Sequence, residues 1–180
     1  MQTKFYTLHL DGLTRELPIC PVNDKLDIAA FVMFSDVEIT IAAAKGLIKK
    51  CPEHDIIITA ESKGIPLAYE MARELNIKYI VARKSTKLYM KDPISVNVKS
   101  ITTKAEQTLY LDANEADWMK GKRVLIVDDV ISTGESLKAL ETLVNKAGGI
   151  IAGRAAVLAE GDAIEMENII YLEELPLFFK

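Results

Sequence analysis

The hydrophobic positions of the chain fall into three kinds of pattern, and each predicts a different element. From residue 5 to 19 apolar residues alternate with polar ones around Asp11-Gly12, with Tyr6, Leu8 and Leu10 before the pair and Leu13, Leu17 and Ile19 after it. Asp-Gly flanked by alternation predicts a short β-hairpin, expected to pack over one end of the main sheet. Residues 55–60 and 124–127 are instead continuous apolar runs, the pattern of strands buried on both faces in a parallel sheet, and residues 78–82 predict a further strand. The third pattern is helical. Val37, Ile41, Ala44 and Ile48 recur at helical spacing between a capping box in Ser35-Asp36-Val37-Glu38 and a stop at Cys51-Pro52, predicting a helix of about fifteen residues. Ile65-Pro66 opens a second helix through Leu75, and Leu137, Leu140 and Val144 mark a third that Gly148-Gly149 ends by a left-handed cap. Strands alternating with helices predict an α/β fold with a mainly parallel sheet.

The pattern changes between residues 88 and 111. Val96, Val98 and Ser100 alternate with Ser95, Asn97 and Lys99, and alternation resumes at Leu109 and Leu111, which predicts a two-stranded excursion. Residues 117–122 read as a turn, and residues 150–158 and 168–172 as closing strands. The tail, residues 175–179, is too apolar to hang free and is expected to pack on the body or on a partner subunit. Without internal repeat, low-complexity tract or linker, residues 1–180 read as one domain. Residues 1–34 form its N-terminal hairpin or hood region, and about 88–111 its flexible loop.

Composition narrows the function. A chain of 180 residues that is 49% hydrophobic can bury one substantial core, which excludes disorder. Cys20 and Cys51 form no CxxC pair and read as small core residues; His9 and His54 are unclustered, so neither a structural zinc site nor a disulfide framework is expected. The N-terminus lacks a signal-peptide apolar region, and the longest tempting apolar stretch, residues 26–34, is interrupted by Asp27, so no membrane contact and a cytoplasmic location are expected. A net charge of −4 argues against a nucleic-acid partner. Yet Lys78, Arg83, Lys84, Lys87, Lys91, Lys99 and Lys104 face a single acid, Asp92, between residues 78 and 104. A basic segment on an acidic protein suits a small polyanion such as a diphosphate.

The candidate chemistry lies at strand ends. Asp128 and Asp129 sit at the C-terminal end of the 124–127 strand, the end at which open α/β sheets bind ligands. Ser132, Thr133, Gly134, Glu135 and Ser136 then lead into a helix, whose free N–H groups and positive dipole end suit a phosphate. Carboxylates suit sugar hydroxyls, so together these thirteen residues describe a site for a phosphorylated ribose. Glu61-Ser62-Lys63-Gly64 repeats the layout of strand, polar loop with glycine, and helix start.

Residues 124–136 resemble the phosphoribosyl pyrophosphate (PRPP) signature of the type I phosphoribosyltransferases: an apolar strand, two acids, three residues, then Thr-Gly-x-Ser/Thr. The resemblance implies an α/β fold with a Rossmann-like, mainly parallel central sheet flanked by helices and a small hood. It implies transfer of ribose 5-phosphate from PRPP to a purine base, releasing pyrophosphate. Asp128 and Asp129 would hold the ribose, and Ser132, Thr133, Gly134, Glu135 and Ser136 the 5-phosphate. Glu61, Ser62, Lys63, Gly64, Arg83, Lys84 and Lys87 would meet the pyrophosphate, with Lys63 joining the acids as a catalytic residue. Mg²⁺ would arrive with PRPP, without an assigned direct protein ligand. A mobile hood over the substrates and a homodimer are also implied.

The base follows from departures. Enzymes for hypoxanthine and guanine usually carry an acid where Ser132 stands, and the Lys-Asp-His-Gly loop of orotate enzymes is here only Lys91-Asp92-Pro93. Arg83-Lys84-Ser85-Thr86-Lys87 resembles the Arg-Lys-x-x-Lys of the adenine enzymes, which puts adenine ahead of xanthine, although Leu88-Tyr89 replaces their usual Pro-Gly. Val130 is the candidate for one wall of the base pocket. Two other classes compete with transfer. A PRPP-binding regulator often adds a DNA-binding domain, for which this length leaves no room. A phosphotransfer protein using Asp128 would leave the Thr-Gly-x-Ser nest without a purpose.

Overall fold

A computed structural model describes residues 4–99 and 106–180. The first alternating run forms β1 (Phe5–Leu10) and β2 (Leu13–Asn23), paired antiparallel around Asp11 and Gly12. Both turn residues have positive φ, 49° and 80°, as a two-residue hairpin requires. A third strand that the alternation did not announce, β3 (Leu26–Ala29), folds back on β2. The first helix, α1 (Val37–Lys50), follows, and Asp36 is its N-cap, accepting from Ile39 N. The expected capping box does not form, and the cap lies one residue later: Ser35 lies outside the helix at φ 68°, and Glu38 reaches Arg15 on β2. Arg15 also meets Asp36 at 2.6 Å, which ties the N-terminal sheet to the start of α1.

The continuous runs become β4 (Ile56–Ala60), whose residues are all buried, and, after α2 (Ile65–Leu75), β5 (Lys78–Ala82). The two-stranded excursion is β6 (Ile94–Lys99) and β7 (Glu106–Leu111), paired antiparallel; Ser100 and Lys104 lie outside the described residues. The foot of this excursion is anchored. Leu109 and Leu111 are buried, and Arg83 and Tyr110 exchange backbone hydrogen bonds at 2.8 Å. α3 (Ala113–Met119) takes the first half of the expected 117–122 turn, which follows at residues 120–122, and starts behind a capping box in which Asp112 and Glu115 are the partners.

Then come β8 (Arg123–Ile131), α4 (Glu135–Lys146), β9 (Ile150–Glu160), a short 3₁₀ turn (Gly161–Glu165), β10 (Ile170–Leu175) and β11 (Leu177–Phe179). The tail is committed within the chain: β11 adds antiparallel to β3, completing a four-stranded sheet, and Phe178 meets Tyr6 edge-on at 6.0 Å. The main sheet is parallel throughout, in the order β10-β9-β8-β4-β5. One apolar core joins α1, α2 and the N-terminal sheet on one face; a second joins α4 and β7 on the other. Both cysteines are half-buried and free; Cys51 packs against the first core, and burial pushes its thiol up to about 11. No described helix is long and apolar enough to cross a membrane.

Candidate active site

The strand order reverses between β8 and β4. From β8 the chain runs outward through β9 to β10, and from β4 it runs the other way to β5, so the crevice at their C-terminal ends is a topological switch point. Pairing between the two strands ends at Ile58 and Ile126, whereas β8 continues beside β9 as far as Ile131 and Ala159. Asp128 and Asp129 therefore lie inside β8, not after it. They stand on the stretch that has lost its β4 neighbour, and the gap is a cavity of about 240 Å³. Glu61, Ser62, Lys63, Lys84, Asp128, Asp129, Val130 and Ser136 line it, so the residues expected from three separate stretches meet at one rim.

Alternation along β8 gives the two acids different surroundings. Asp129 is 3% exposed and lies 2.9 Å from Lys63 Nζ through Oδ2. That approach is an ion pair without hydrogen-bond geometry, so the buried Oδ2 has no hydrogen-bond donor among the described residues. Asp128 is half-buried against the cavity, and its Oδ1 accepts from Asp129 N at 2.9 Å. Burial, and then the neighbouring Asp129 charge, push the Asp128 carboxyl well above the ordinary carboxylate range. A diol or a cation placed here would meet two carboxylates that the protein leaves incompletely satisfied.

The loop after β4 is held from several sides. Its Glu61–Ser62 peptide is cis. Glu61 accepts from Lys84 N at 2.9 Å and lies 3.4 Å from Arg83, which fastens this loop to the basic one after β5. The Lys84 N–H holds the Glu61 carboxyl below its usual range, helped by Lys87 and Arg83. Glu61 thus positions the residues of two cations; Lys63 and Lys84 are exposed, whereas Lys87 is half-buried and donates to Ser85 Oγ at 3.0 Å. Gly64 enters α2 beside Asp128: a Cβ there would lie 2.4 Å from Thr59 Oγ1 and 3.0 Å from Asp128 Oδ1.

The loop after β8 is built differently. Gly134 is the N-cap of α4 at φ 74°, with no side-chain cap, and the hydroxyls of Thr133 and Ser136 lie on exposed residues. Residues Asp128 and Val130 to Leu137 enclose a small cavity of about 70 Å³ at the helix start. A helix start with hydroxyls beside it suits one phosphate. Val130 is half-buried and lines both cavities. No cluster of three His, Cys, Asp or Glu side chains that could hold a metal occurs among the described residues. Asp128 and Asp129 alone fit a hard cation that keeps most of its oxygens from water or substrate.

Sequence reading missed Glu160 at the end of β9. It is 9% exposed, and burial raises its carboxyl above the ordinary range while the Lys63 charge opposes that rise. Its place after a run of small apolar residues carries no local signal; it lines a cavity shared with Val22, Leu26 and Ile28 of the N-terminal sheet.

The family model for the phosphoribosyl transferase domain matches residues 33–173. A xanthine phosphoribosyltransferase of Bacillus thuringiensis is 36% identical over 140 residues, 76% of this chain and 70% of that protein. A hypoxanthine/guanine phosphoribosyltransferase of Methanococcus voltae is 39% identical over 108 residues, 60% of this chain, and the match spans about half of that relative's length, 54%. Among solved structures, the adenine phosphoribosyltransferase of Thermoanaerobacter pseudethanolicus superposes with a TM-score of 0.68 at 23% identity, covering 79% of this chain and 84% of that one. The enzyme of the same name from Rhodothermus marinus gives 0.66 at 21% identity, covering 96% and 94%. Parallel sheet, switch-point crevice and matched residues agree: the chain belongs to the phosphoribosyl transferase domain family, a family of glycosyltransferase-type enzymes, and has its type I fold.

Proposed function

We propose that the chain transfers ribose 5-phosphate from PRPP to a purine base, adenine foremost, giving the nucleoside 5′-monophosphate and pyrophosphate. The observation that carries this reading is the crevice between β8 and β4, where Lys63 lies 2.9 Å from Asp129 beside an anion nest at the start of α4. Residues 132–136 bind the 5-phosphate, and Asp128 and Asp129 accept from the ribose hydroxyls. Backbone N–H groups of Ser62 and Gly64 and the cations Lys63, Arg83, Lys84 and Lys87 meet the diphosphate, with Glu61 holding Arg83 and Lys84 in place. Val130 forms part of the wall toward the base.

Little acid or base chemistry is required of these residues. The anomeric bond loosens toward an oxocarbenium-like state, so the protein's part is to align the base and to stabilise a leaving diphosphate as its charge grows. Lys63 gains most during this step, since it can leave Asp129 for the developing charge. Mg²⁺ on the diphosphate, held through Asp128, Asp129 and water, would supply further charge neutralisation. Adenine rests on the Arg83 to Lys87 pattern and on Ser132 in place of an acid. Xanthine is the second reading, favoured by the 36% identity to a xanthine enzyme. A cytoplasmic homodimer is part of the proposal and rests on the family resemblance, since the tail that also pointed to it pairs with β3.

The test is a panel of purine bases with PRPP and Mg²⁺, followed by pyrophosphate release. Release is expected with adenine and is expected to vanish in a double Asp128→Asn, Asp129→Asn variant that keeps the native circular dichroism. Tight PRPP binding with no release from any base would turn the reading to a PRPP-binding regulator.

A further inference from the structure

A cavity of about 730 Å³ lies at the N-terminal end of the main sheet, against about 240 Å³ in the crevice. Its volume is within the roughly 300–1,000 Å³ of small-molecule sites. The first residues of β4 and β5 line it together with the end of α3 and the turn that follows, and no residue assigned above to PRPP or the base takes part. β4 is five residues long, so the cavity and the crevice lie about 16 Å apart along that strand.

Trp118, the only tryptophan of the chain, is 42% exposed here, although indole side chains are highly buried on average. Lys78 Nζ lies 3.8 Å from the centroid of its ring. By sequence Lys78 belongs to the basic segment of residues 78–104, yet it stands at the start of β5, whereas Arg83 and Lys84 follow the other end of that strand. It is therefore placed away from the diphosphate, and Lys120 and Lys122 join it at the cavity. All three lysines are exposed, and none has an ion pair among the described residues. Two carboxylates line the same space. Asp55 is taken by Arg123, accepting from Nη2 at 2.8 Å and from the backbone N–H at 2.9 Å, so three cations face one uncommitted acid, Asp117. The backbone that carries Lys120 and Lys122 is already ordered. Gly121 turns the chain at φ 69° and donates to Gly148 O at 2.8 Å, Lys122 N donates to Met119 O at 2.9 Å, and Met119 is fully buried.

An exposed indole among uncommitted ammonium groups suits a flat heterocycle that carries several negative charges. A neutral ring would leave the lysines unused, and a bare polyphosphate would leave the indole in water. We propose that this cavity binds a nucleoside polyphosphate, with the base stacked on Trp118 and the phosphates met by Lys78, Lys120 and Lys122. Lys78 can leave the ring for a phosphate as the base takes its place. Stacking accepts any base, because every base has a π-face, so the charge on the phosphates and not the identity of the base decides what binds. The site goes beyond the transfer reading and does not depend on it.

The experiment titrates the full chain with ATP in the absence of Mg²⁺ and follows the fluorescence of Trp118, which as the sole tryptophan reports on this cavity. Excitation at the red edge of the indole band avoids absorption by adenine. Saturable quenching is expected. Its midpoint should rise at least about threefold in a double Lys120→Ala, Lys122→Ala variant, and stay within about twofold of wild type in the double Asp128→Asn, Asp129→Asn variant. Both lysines are exposed, so their removal leaves the fold intact, and thermal melting checks it. Inorganic triphosphate, which lacks the ring, should compete with ATP roughly 5- to 150-fold more weakly than unlabelled GTP does. Quenching that never saturates overturns the proposal, as does a midpoint within about twofold of wild type in the lysine variant. Triphosphate that competes as well as GTP removes the stacked base. A midpoint that moves with the two acids and not with the lysines places ATP in the crevice and overturns the proposal as well. Failure of pyrophosphate release with every base would end the transfer reading and leave the fluorescence result standing.

Discussion

Gly64 closes the loop after β4 in right-handed backbone at φ −74°, whereas Gly134 closes the loop after β8 at φ 74°. The first position needs glycine because of what stands against it, buried Thr59 and the Asp128 carboxylate; the second needs it because of its own backbone. The same contrast runs through the rest of each loop. Residues 61–64 are held from outside by Asp129, Lys84 and Arg83, while the loop after β8 presents exposed hydroxyls on a helix start without a side-chain cap. A loop fixed by its neighbours passes any change on to them. A loop fixed by its own φ keeps the damage local. That division matches the chemistry proposed: the leaving diphosphate needs rigid alignment with the acids, and the 5-phosphate needs only a nest.

The largest effect that would sharpen this contrast is expected from Lys63→Ala. Removing a cation that acts on growing charge should lower the rate of the chemical step by about 10²–10³-fold, with the base KM unchanged. Single-turnover pyrophosphate release separates the two. An effect confined to base KM would place Lys63 in binding alone and dissolve the distinction between the loops.

The glycines give the next, smaller pair. Gly64→Ala must displace Thr59 or Asp128, since the new Cβ would lie 2.4 Å from a hydroxyl on a fully buried residue. A loss of about 10²-fold in kcat/KM is expected from an acid moved by a fraction of an ångström to an ångström. Gly134→Ala should cost about 1–2 kcal/mol for its left-handed backbone, and Met166 can give way at the far end of a flexible chain. Asn tolerates positive φ, so Gly134→Asn should recover most of the stability lost in Gly134→Ala, and Gly64→Asn should recover nothing. Equal rescue at both positions, read by thermal melting and kcat/KM, would break the comparison.

These two glycines also mark how far the sequence could be read. Continuous apolar runs announced β4 and β8, and Thr133-Gly134-Glu135-Ser136 announced the nest, because those signals are local. Gly64 was legible as a loop glycine but not as a packing gap, which appears only when α2 meets β8. Glu160 was invisible for the same reason. The pairing of β11 with β3 joins residues from the two ends of the chain and has no local signature. By contrast, α3 was missed although its signal was present, since Asp112 and Glu115 have the spacing of a capping box.

The smallest expected effect concerns the cost of the acidic pair itself. Asp128 is raised by burial and by Asp129, so its folded-state value lies above its unfolded one. The penalty of such a carboxyl grows as pH rises from the ordinary carboxylate range and is complete above the raised value, and it disappears as pH falls back to the ordinary range, where the unfolded chain also takes up its proton. Asp128→Asn should therefore melt higher than wild type at pH 8, by about 2–4 °C for each kcal/mol relieved, and the gap should close as the pH is lowered toward 5. Asp55, held low chiefly by Arg123, has the opposite sign: its stabilisation is present at neutral pH and fades on acidification, in both proteins alike. It cancels in the difference between their melting curves. A gap that stays constant from pH 8 to 5 would mean that Asp128 carries no buried-charge penalty, and that the rim around the acids is as relaxed as the phosphate nest beside it.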